Sequence, residues 1–267
     1  MMKAFKHVLI LLSTASALAQ STTNVKIEAN ARLRFEFPEL PQTLAKQTAR
    51  LAAQLPANYS REGKFPLFVF INGGDGGRGD SLPIDRGVVG SNDFICVNLP
   101  IFKRVYDEER GGLISVDDFD TLSRAYHIML KKLLDTVPNI TPERSALGGF
   151  SNGAHAIALL LAGQDDLILQ RFRAFYFVEG GAPLAVNTLG RRSLRDYRFL
   201  LMRGDYLERL PVLGYDHLFR AFEFFARDNQ LDFTSVVMRD TEHAFPRKYQ
   251  ALLGLWVRGE KLPDPLP

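Results

Sequence analysis

The feature of this sequence that most constrains its fold is the pentapeptide Gly149-Phe150-Ser151-Asn152-Gly153. A short apolar run, residues 144–149, precedes the turn, and an Ala/Leu-rich run that ends in glycine, residues 154–163, follows it. The pattern G-x-S-x-G between a strand and a helix is typical of a sharp turn that exposes a nucleophilic serine. Such a turn strains the serine backbone, and side chains two positions away would collide, so glycine is expected there. The alternative is a glycine- and serine-rich turn without chemistry.

The N-terminal segment has the pattern of a secretion signal. Lys3 and Lys6 precede the apolar run 8–12, and Ala17-Leu18-Ala19 follows with the small residues that a signal peptidase accepts. The apolar run is too short for a permanent transmembrane helix. We therefore predict a signal peptide over residues 1–19 and a secreted or periplasmic protein. A single domain would cover residues 20–267, with no membrane association after cleavage.

The net charge and the cysteine count argue against a nucleic-acid partner and against stabilisation by an internal disulfide. The formal net charge of +3 falls to about +1 once the two signal-segment lysines are removed, so nucleic acid is not an expected partner. Cys96 is the only cysteine, which excludes an internal disulfide in an exported chain. It lies in an apolar strand-like run, where a buried and inert thiol is expected.

Apolar strand-like runs alternate with helical patterns along most of the chain, which predicts an α/β fold with a mainly parallel central sheet and helices on both faces. Two further segments, 25–38 and 44–55, predict antiparallel strands at one sheet edge. The predicted core strands are 65–71, 94–99, 145–150, 174–178, 199–202 and 234–238. The predicted helices are 116–137, 154–163, 216–227 and 245–257.

His243 is the predicted general base. A serine hydroxyl becomes a good nucleophile when an imidazole takes its proton and a carboxylate orients that imidazole. His243 lies in a polar loop directly after the last predicted strand, where the chain order serine, acid, histidine places the base. The other four histidines lie in the signal segment, in a helix before the serine, one turn past it and at a helix start: His7, His127, His155 and His217.

Asp205 is the predicted triad acid, with two alternatives. It follows the strand 199–202 on the loop at the carboxyl end of the sheet, where sites of α/β proteins assemble. Glu208 lies on the same loop. Glu179 follows the preceding strand in Val178-Glu179-Gly180, and a carboxylate there could reach the same imidazole.

An oxyanion formed at the serine needs backbone N–H donors. One is expected from Asn152 and another from the glycine-rich loop 72–77, at Gly73 or Gly74, because glycines let backbone approach a ligand closely. The side chain of Asn72 is expected to hold this loop by bonding nearby backbone. A phosphate-binding loop is disfavoured, since the Gly-Lys-Ser/Thr ending is missing.

With these residues the chain resembles the exported α/β-hydrolase esterases, specifically the group that includes feruloyl esterases and polyhydroxybutyrate depolymerases. The resemblance rests on the glycine-rich loop after a strand and on the segment 139–144 leading to Gly149-Phe150-Ser151-Asn152-Gly153. That group usually has histidine where Asn72 stands, and an acid in a Gly-x-x-Asp pattern, whereas Gly204 and Asp205 are adjacent here.

The resemblance implies hydrolysis of carboxylic esters through an acyl-enzyme, without metal or organic cofactor. The segment 182–197, where such enzymes often insert a cap, is too short for a lid domain, which favours polymer-attached or bulky esters as substrate. A peptidase or an acyltransferase could use the same residues. An inactive relative that binds a glycan or a protein partner is the alternative from another functional class.

Overall fold

Eight strands form one sheet in a computed structural model of the chain, which describes residues 26–82, 87–102, 119–181, 194–206 and 215–266. The strands are β1 (Arg32–Phe37), β2 (Ala49–Gln54), β3 (Phe65–Ile71), β4 (Ile95–Leu99), β5 (Ile140–Phe150), β6 (Ala174–Val178), β7 (Arg198–Gly204) and β8 (Asp232–Met238). The helices are α1 (Phe119–Thr136), α2 (Asn152–Ala162), α3 (Asp166–Arg171), α4 (Tyr215–Asp228) and α5 (Arg247–Arg258).

The sheet has the order β1-β2-β4-β3-β5-β6-β7-β8. β1 pairs antiparallel with β2, and β2 pairs antiparallel with β4. From β4 to β8 every pairing is parallel. The predicted mainly parallel sheet with an antiparallel edge is therefore confirmed, and the carboxyl ends of β3, β5, β6, β7 and β8 meet at one edge.

Two apolar layers cover the sheet because successive side chains of a buried strand point to opposite faces. Val69 packs in one layer with residues of α1 and α2. Phe68 and Phe70 pack in the other, with Tyr249 and Trp256 of α5. Cys96 is buried in β4, as expected for a structural thiol.

Some elements begin at other residues than predicted, and one short helix was not predicted. β5 starts five residues early because Ile140 and Thr141 already pair with β3, before a register shift between Pro66 and Phe68. α5 begins at Arg247, since Pro246 takes the N-cap position in an extended conformation. The short helix α3 was not predicted; the side chain of Asp165 caps it by accepting a hydrogen bond from Ile168 N at 3.0 Å.

Several predictions fall on segments outside the described residues. These are the signal peptide over residues 1–19, the start of the helix predicted from 116, and most of the segment 182–197 in which a lid was not expected. None of the helices within the described ranges is long and apolar enough to span a bilayer.

Candidate active site

The turn between β5 and α2 holds Ser151 in a strained conformation, with φ 51° and ψ −118°. Its flanking glycines are sterically required. A Cβ at Gly149 would lie 2.5 Å from the carbonyl oxygen of Ile71, and one at Gly153 would lie 2.2 Å from the same atom. The backbone also fixes the turn, because Ser151 N donates to Val178 O at 2.8 Å. The predicted strand–turn–helix therefore presents Ser151 at the carboxyl edge of the sheet.

His243 meets Ser151 across this edge. Its Nε2 lies 2.9 Å from Ser151 Oγ, within hydrogen-bond distance for proton transfer. The imidazole also contacts the ring of Phe150, with 4.9 Å between the ring centroids. The side chain of His243 is 49% exposed, so the imidazole is accessible to solvent. The structure thus brings together the predicted nucleophile and the predicted base.

The carboxylate beside His243 is that of Glu179, so the prediction that Asp205 orients the imidazole disagrees with the structure. Glu179 Oε2 lies 3.4 Å from His243 Nδ1, on the side of the ring opposite Ser151. The Glu179 side chain is fully buried. A buried carboxylate needs hydrogen-bond donors, and Gly204 N supplies one to Oε1. Glu208, the other alternative, lies outside the described residues.

The backbone at the end of β6 explains how Glu179 reaches this position. Glu179 has φ 57° and Gly181 has φ 81°, so the chain turns sharply as it leaves the strand. Gly180 has no space for a side chain, since a Cβ there would lie 2.8 Å from Ser151 O and 3.1 Å from His155 Nε2. Glu-Gly-Gly directly after a strand was the sequence signal for this close approach to the Ser151 turn.

Tyr206 also contacts His243 and was not among the predicted site residues. Its hydroxyl lies 3.3 Å from His243 Nδ1. Burial, the negative charge of Glu179 and a hydrogen bond with Glu179 together raise the pKa of Tyr206 well above its ordinary value. The phenol therefore stays protonated and can donate a hydrogen bond to the carboxylate. Its position one residue after Asp205 was the only sequence hint.

Asp205 binds backbone instead of the imidazole. Its Oδ2 accepts a hydrogen bond from Asp240 N at 3.1 Å, and its Oδ1 accepts one from Thr241 N at 3.2 Å. Both amides belong to the loop that carries His243. The adjacency of Gly204 and Asp205 accounts for this difference: the carboxylate follows the strand end so closely that it meets the neighbouring loop after β8.

The glycine-rich loop after β3 lies against the Ser151 turn. A Cβ at Gly73 would lie 2.6 Å from the ring of Phe150 and 3.0 Å from Ser151 Cβ, so its backbone passes directly beside the nucleophile. Asn152 begins α2, where the first N–H groups lack helical partners and can bind an anion. These placements suit the predicted oxyanion donors.

Asn152 holds the glycine loop through its side chain. Its Nδ2 donates a hydrogen bond to Gly74 O at 2.9 Å and so ties the start of α2 to the loop after β3. The side chain of Asn72, expected in this role, makes no hydrogen bond among the described residues. Asn152 was predicted only for its backbone, since sequence alone does not indicate which amide side chain reaches across.

His155 lies behind the site on α2 and stays neutral. Burial, reinforced by the nearby His243, lowers the pKa of His155 to about 4. Its ring lies against Gly180, on the inner side of the turn that presents Glu179. It is a buried histidine that faces away from the reacting pair. Within the described ranges, no group of three or more His, Cys, Asp or Glu side chains is arranged to hold a metal ion.

Neither the models of known protein families nor the curated proteins match this chain. Solved structures do match its fold. A methylesterase superposes with a TM-score of 0.53 at 19% identity, over 87% of this chain and 55% of that protein. The isopeptidase AtxE2 superposes with a TM-score of 0.52 at 14% identity, over 88% of this chain and 41% of that protein. A CE1 ferulic acid esterase from Anaeromyces mucronatus superposes with a TM-score of 0.50 at 11% identity, over 85% of this chain and 90% of that protein.

The chain spans 35% to 55% of the length of several matched proteins, whereas it covers most of the ferulic acid esterase. At these identities the likeness establishes the fold alone. The matched proteins include esterases and a peptidase, which use one architecture for different bonds. Together with the strand order and the turn at Ser151, the comparisons identify the chain as a protein of the α/β-hydrolase fold.

Proposed function

We propose that this chain is a serine hydrolase that cleaves carboxylic esters through an acyl-enzyme on Ser151. The observation that carries the proposal is the 2.9 Å contact between Ser151 Oγ and His243 Nε2, with the buried Glu179 carboxylate on the other side of the imidazole. This is the arrangement of nucleophile, base and orienting acid that serine hydrolysis requires. Glu179 takes the role of the acid.

In the first half-reaction, Ser151 Oγ attacks the ester carbonyl carbon while its proton moves to His243 Nε2. The carbonyl electron pair moves to oxygen, and the oxyanion binds the N–H of Asn152 and an N–H of the glycine loop at Gly73 or Gly74. The negative charge of Glu179 stabilises the imidazolium that has formed. The bond to the alcohol oxygen then breaks, and the alcohol leaves with the proton from His243.

In the second half-reaction, water replaces the alcohol. His243 Nε2 takes a proton from a water molecule as its oxygen attacks the acyl carbon, and a second oxyanion forms at the same donors. The bond to Ser151 Oγ breaks, Ser151 recovers a proton from His243, and the carboxylic acid leaves. The exposure of His243 gives water access to this step.

Fluorophosphonate labelling combined with a substrate panel tests the proposal. The panel contains p-nitrophenyl acetate, feruloyl and hydroxyalkanoate esters, a peptide anilide, and an added alcohol as acyl acceptor. We expect labelling of the wild type, none of Ser151→Ala, and turnover of one or more esters. Turnover of the anilide alone would indicate a peptidase. Efficient transfer of the acyl group to the added alcohol would indicate an acyltransferase. An unlabelled wild type would favour the inactive binding protein.

We also propose that the chain is exported and acts on polymer-attached or bulky esters, from the N-terminal pattern and the short segment 182–197. N-terminal sequencing of the protein recovered from its native compartment should begin at Gln20. Retention of the first nineteen residues would contradict export, and faster turnover of small soluble esters than of polymer-attached ones would contradict the substrate preference.

A further inference from the structure

Asp205 links the end of β7 to the loop that carries the base. Its backbone N donates to Met238 O at 3.1 Å, which continues the pairing of β7 with β8 by one step. Its two carboxylate oxygens then accept hydrogen bonds from two successive amides of the next loop, Asp240 N and Thr241 N. Hydrogen bonds from N–H groups to an ionised carboxylate are stronger than neutral ones.

The loop that Asp205 binds is compact and has little freedom to relax elsewhere. Asp240 adopts φ 52°, and the buried Thr241 closes the turn through Oγ1, which donates to Arg239 O at 3.0 Å. Arg239 N donates to the hydroxyl of Tyr249 at 2.6 Å. His243 follows Thr241 by two residues, so a shift of these amides moves the imidazole.

We propose that Asp205 is a positioning residue, which holds the loop 239–243 so that the His243 imidazole lies between Ser151 and Glu179. The inference rests on the proposed function for its kinetic consequence, and on the hydrogen bonds alone for its structural one. Asp205 does not touch the reacting atoms in this assignment. It acts through the backbone of the loop.

The residue before Asp205 strengthens the inference. Gly204 N donates to Glu179 Oε1, and a Cβ at Gly204 would lie 2.4 Å from Thr241 O. Two consecutive residues where β7 ends therefore contact different parts of the site. Gly204 donates a hydrogen bond to Glu179, and Asp205 accepts hydrogen bonds from the loop that carries His243. These contacts attach both Glu179 and the loop 239–243 to the same strand end.

The test compares Asp205→Ala and Asp205→Asn with Asp232→Asn. Asp232 is an exposed carboxylate that pairs with Arg198 at the opposite end of the β7–β8 pair. Since misplacement by about 1 Å can cost roughly 10²-fold, we expect Asp205→Ala to lower kcat about 100-fold with KM unchanged. Asp205→Asn keeps one acceptor oxygen and should lose about 10-fold. Asp232→Asn should match the wild type.

Hydrogen exchange gives a readout that does not depend on activity. In Asp205→Ala the amides of Asp240 and Thr241 should exchange faster than in the wild type, while β7 and β8 keep their protection. Asp205→Asn serves if the alanine variant does not fold. Unchanged exchange in both variants would overturn the inference even if the wild type proves inactive as a hydrolase. So would a loss in Asp205→Asn as large as that in Glu179→Gln, because Asp205 would then be the acid.

Discussion

The turn that carries Ser151 and the loops that carry its partners are built differently. Five consecutive residues form the turn, and its shape follows from steric contacts with β3: any Cβ at Gly149 or Gly153 would overlap Ile71 O. The partners come from three separate loops, after β6, β7 and β8. Hydrogen bonds between those loops set the relative positions of Glu179 and His243, together with close backbone contacts at Gly180 and Gly204.

Because of this difference, substitutions in the two regions should have different effects. A change in the turn meets rigid backbone, so it should affect folding and the presentation of Ser151 together. A change in the loops removes one hydrogen bond among several, and should alter the alignment of the imidazole while the fold persists. Stability measurements therefore probe the first region, and kinetic measurements probe the second.

The largest effect is expected from removing either member of the reacting pair, Ser151 in the turn or His243 in the loops. Ser151→Ala or His243→Ala should lower turnover of an ester substrate by roughly 10⁴- to 10⁶-fold, because residues that act as a unit lose nearly all of their contribution together. The thermal unfolding midpoint should change little. Ser91→Ala, an exposed serine in a loop, is the matched control. Near-normal turnover by either purified variant would remove both residues from the mechanism.

The buried His155, behind the Ser151 turn, gives a pH test of stability. Because the pKa of His155 is lowered to about 4, the unfolded chain binds a proton between about pH 6.5 and pH 4 that the folded chain does not. Stability is therefore lost as the pH falls through this window, by at most on the order of 3 kcal/mol from this group. His155→Gln should flatten the fall of the unfolding midpoint between pH 7 and 5. An equally steep fall in the variant would contradict a buried neutral His155.

The steric origin of the turn predicts a stability effect at Gly153. The Cβ of Gly153→Ala would lie 2.2 Å from Ile71 O, so we expect a loss of about 1–3 kcal/mol in the free energy of unfolding by urea. The control is Gly87→Ala, where the nearest atom is 3.5 Å away at the tip of a glutamine side chain. If both alanine variants were equally stable, the turn would not owe its shape to close backbone contact.

The contact between Asn152 and the glycine loop predicts a smaller kinetic effect. Asn152→Ala keeps the backbone N–H that we propose binds the oxyanion, but loses the hydrogen bond to Gly74 O. We expect kcat to fall about 10-fold through misplacement of the loop, and Asn72→Ala to stay near wild type. Steady-state kinetics on one ester decide this. The reverse ranking would return the loop-holding role to Asn72.

The sequence predicted the sheet, the turn and the pair Ser151–His243 because each leaves a local or ordered signal. Strand periodicity, glycines at fixed spacing and the order of the loops along the chain suffice for these. It did not predict the choice between Glu179 and Asp205, since both follow neighbouring parallel strands and end at the same edge. That choice depends on φ 57° at Glu179 and on the amides that take up Asp205, which are contacts distant in sequence.

The ratio of kcat in Asp205→Asn to kcat in Glu179→Gln distinguishes a carboxylate that orients His243, as proposed for Glu179, from one that holds its loop, as proposed for Asp205. The amide of glutamine cannot stabilise the imidazolium, so Glu179→Gln should lose about 10⁴-fold. Asp205→Asn should lose about 10-fold, which makes it roughly a thousand times faster than Glu179→Gln. A ratio near one, or a slower Asp205→Asn, would contradict the assignment and return the role of acid to β7.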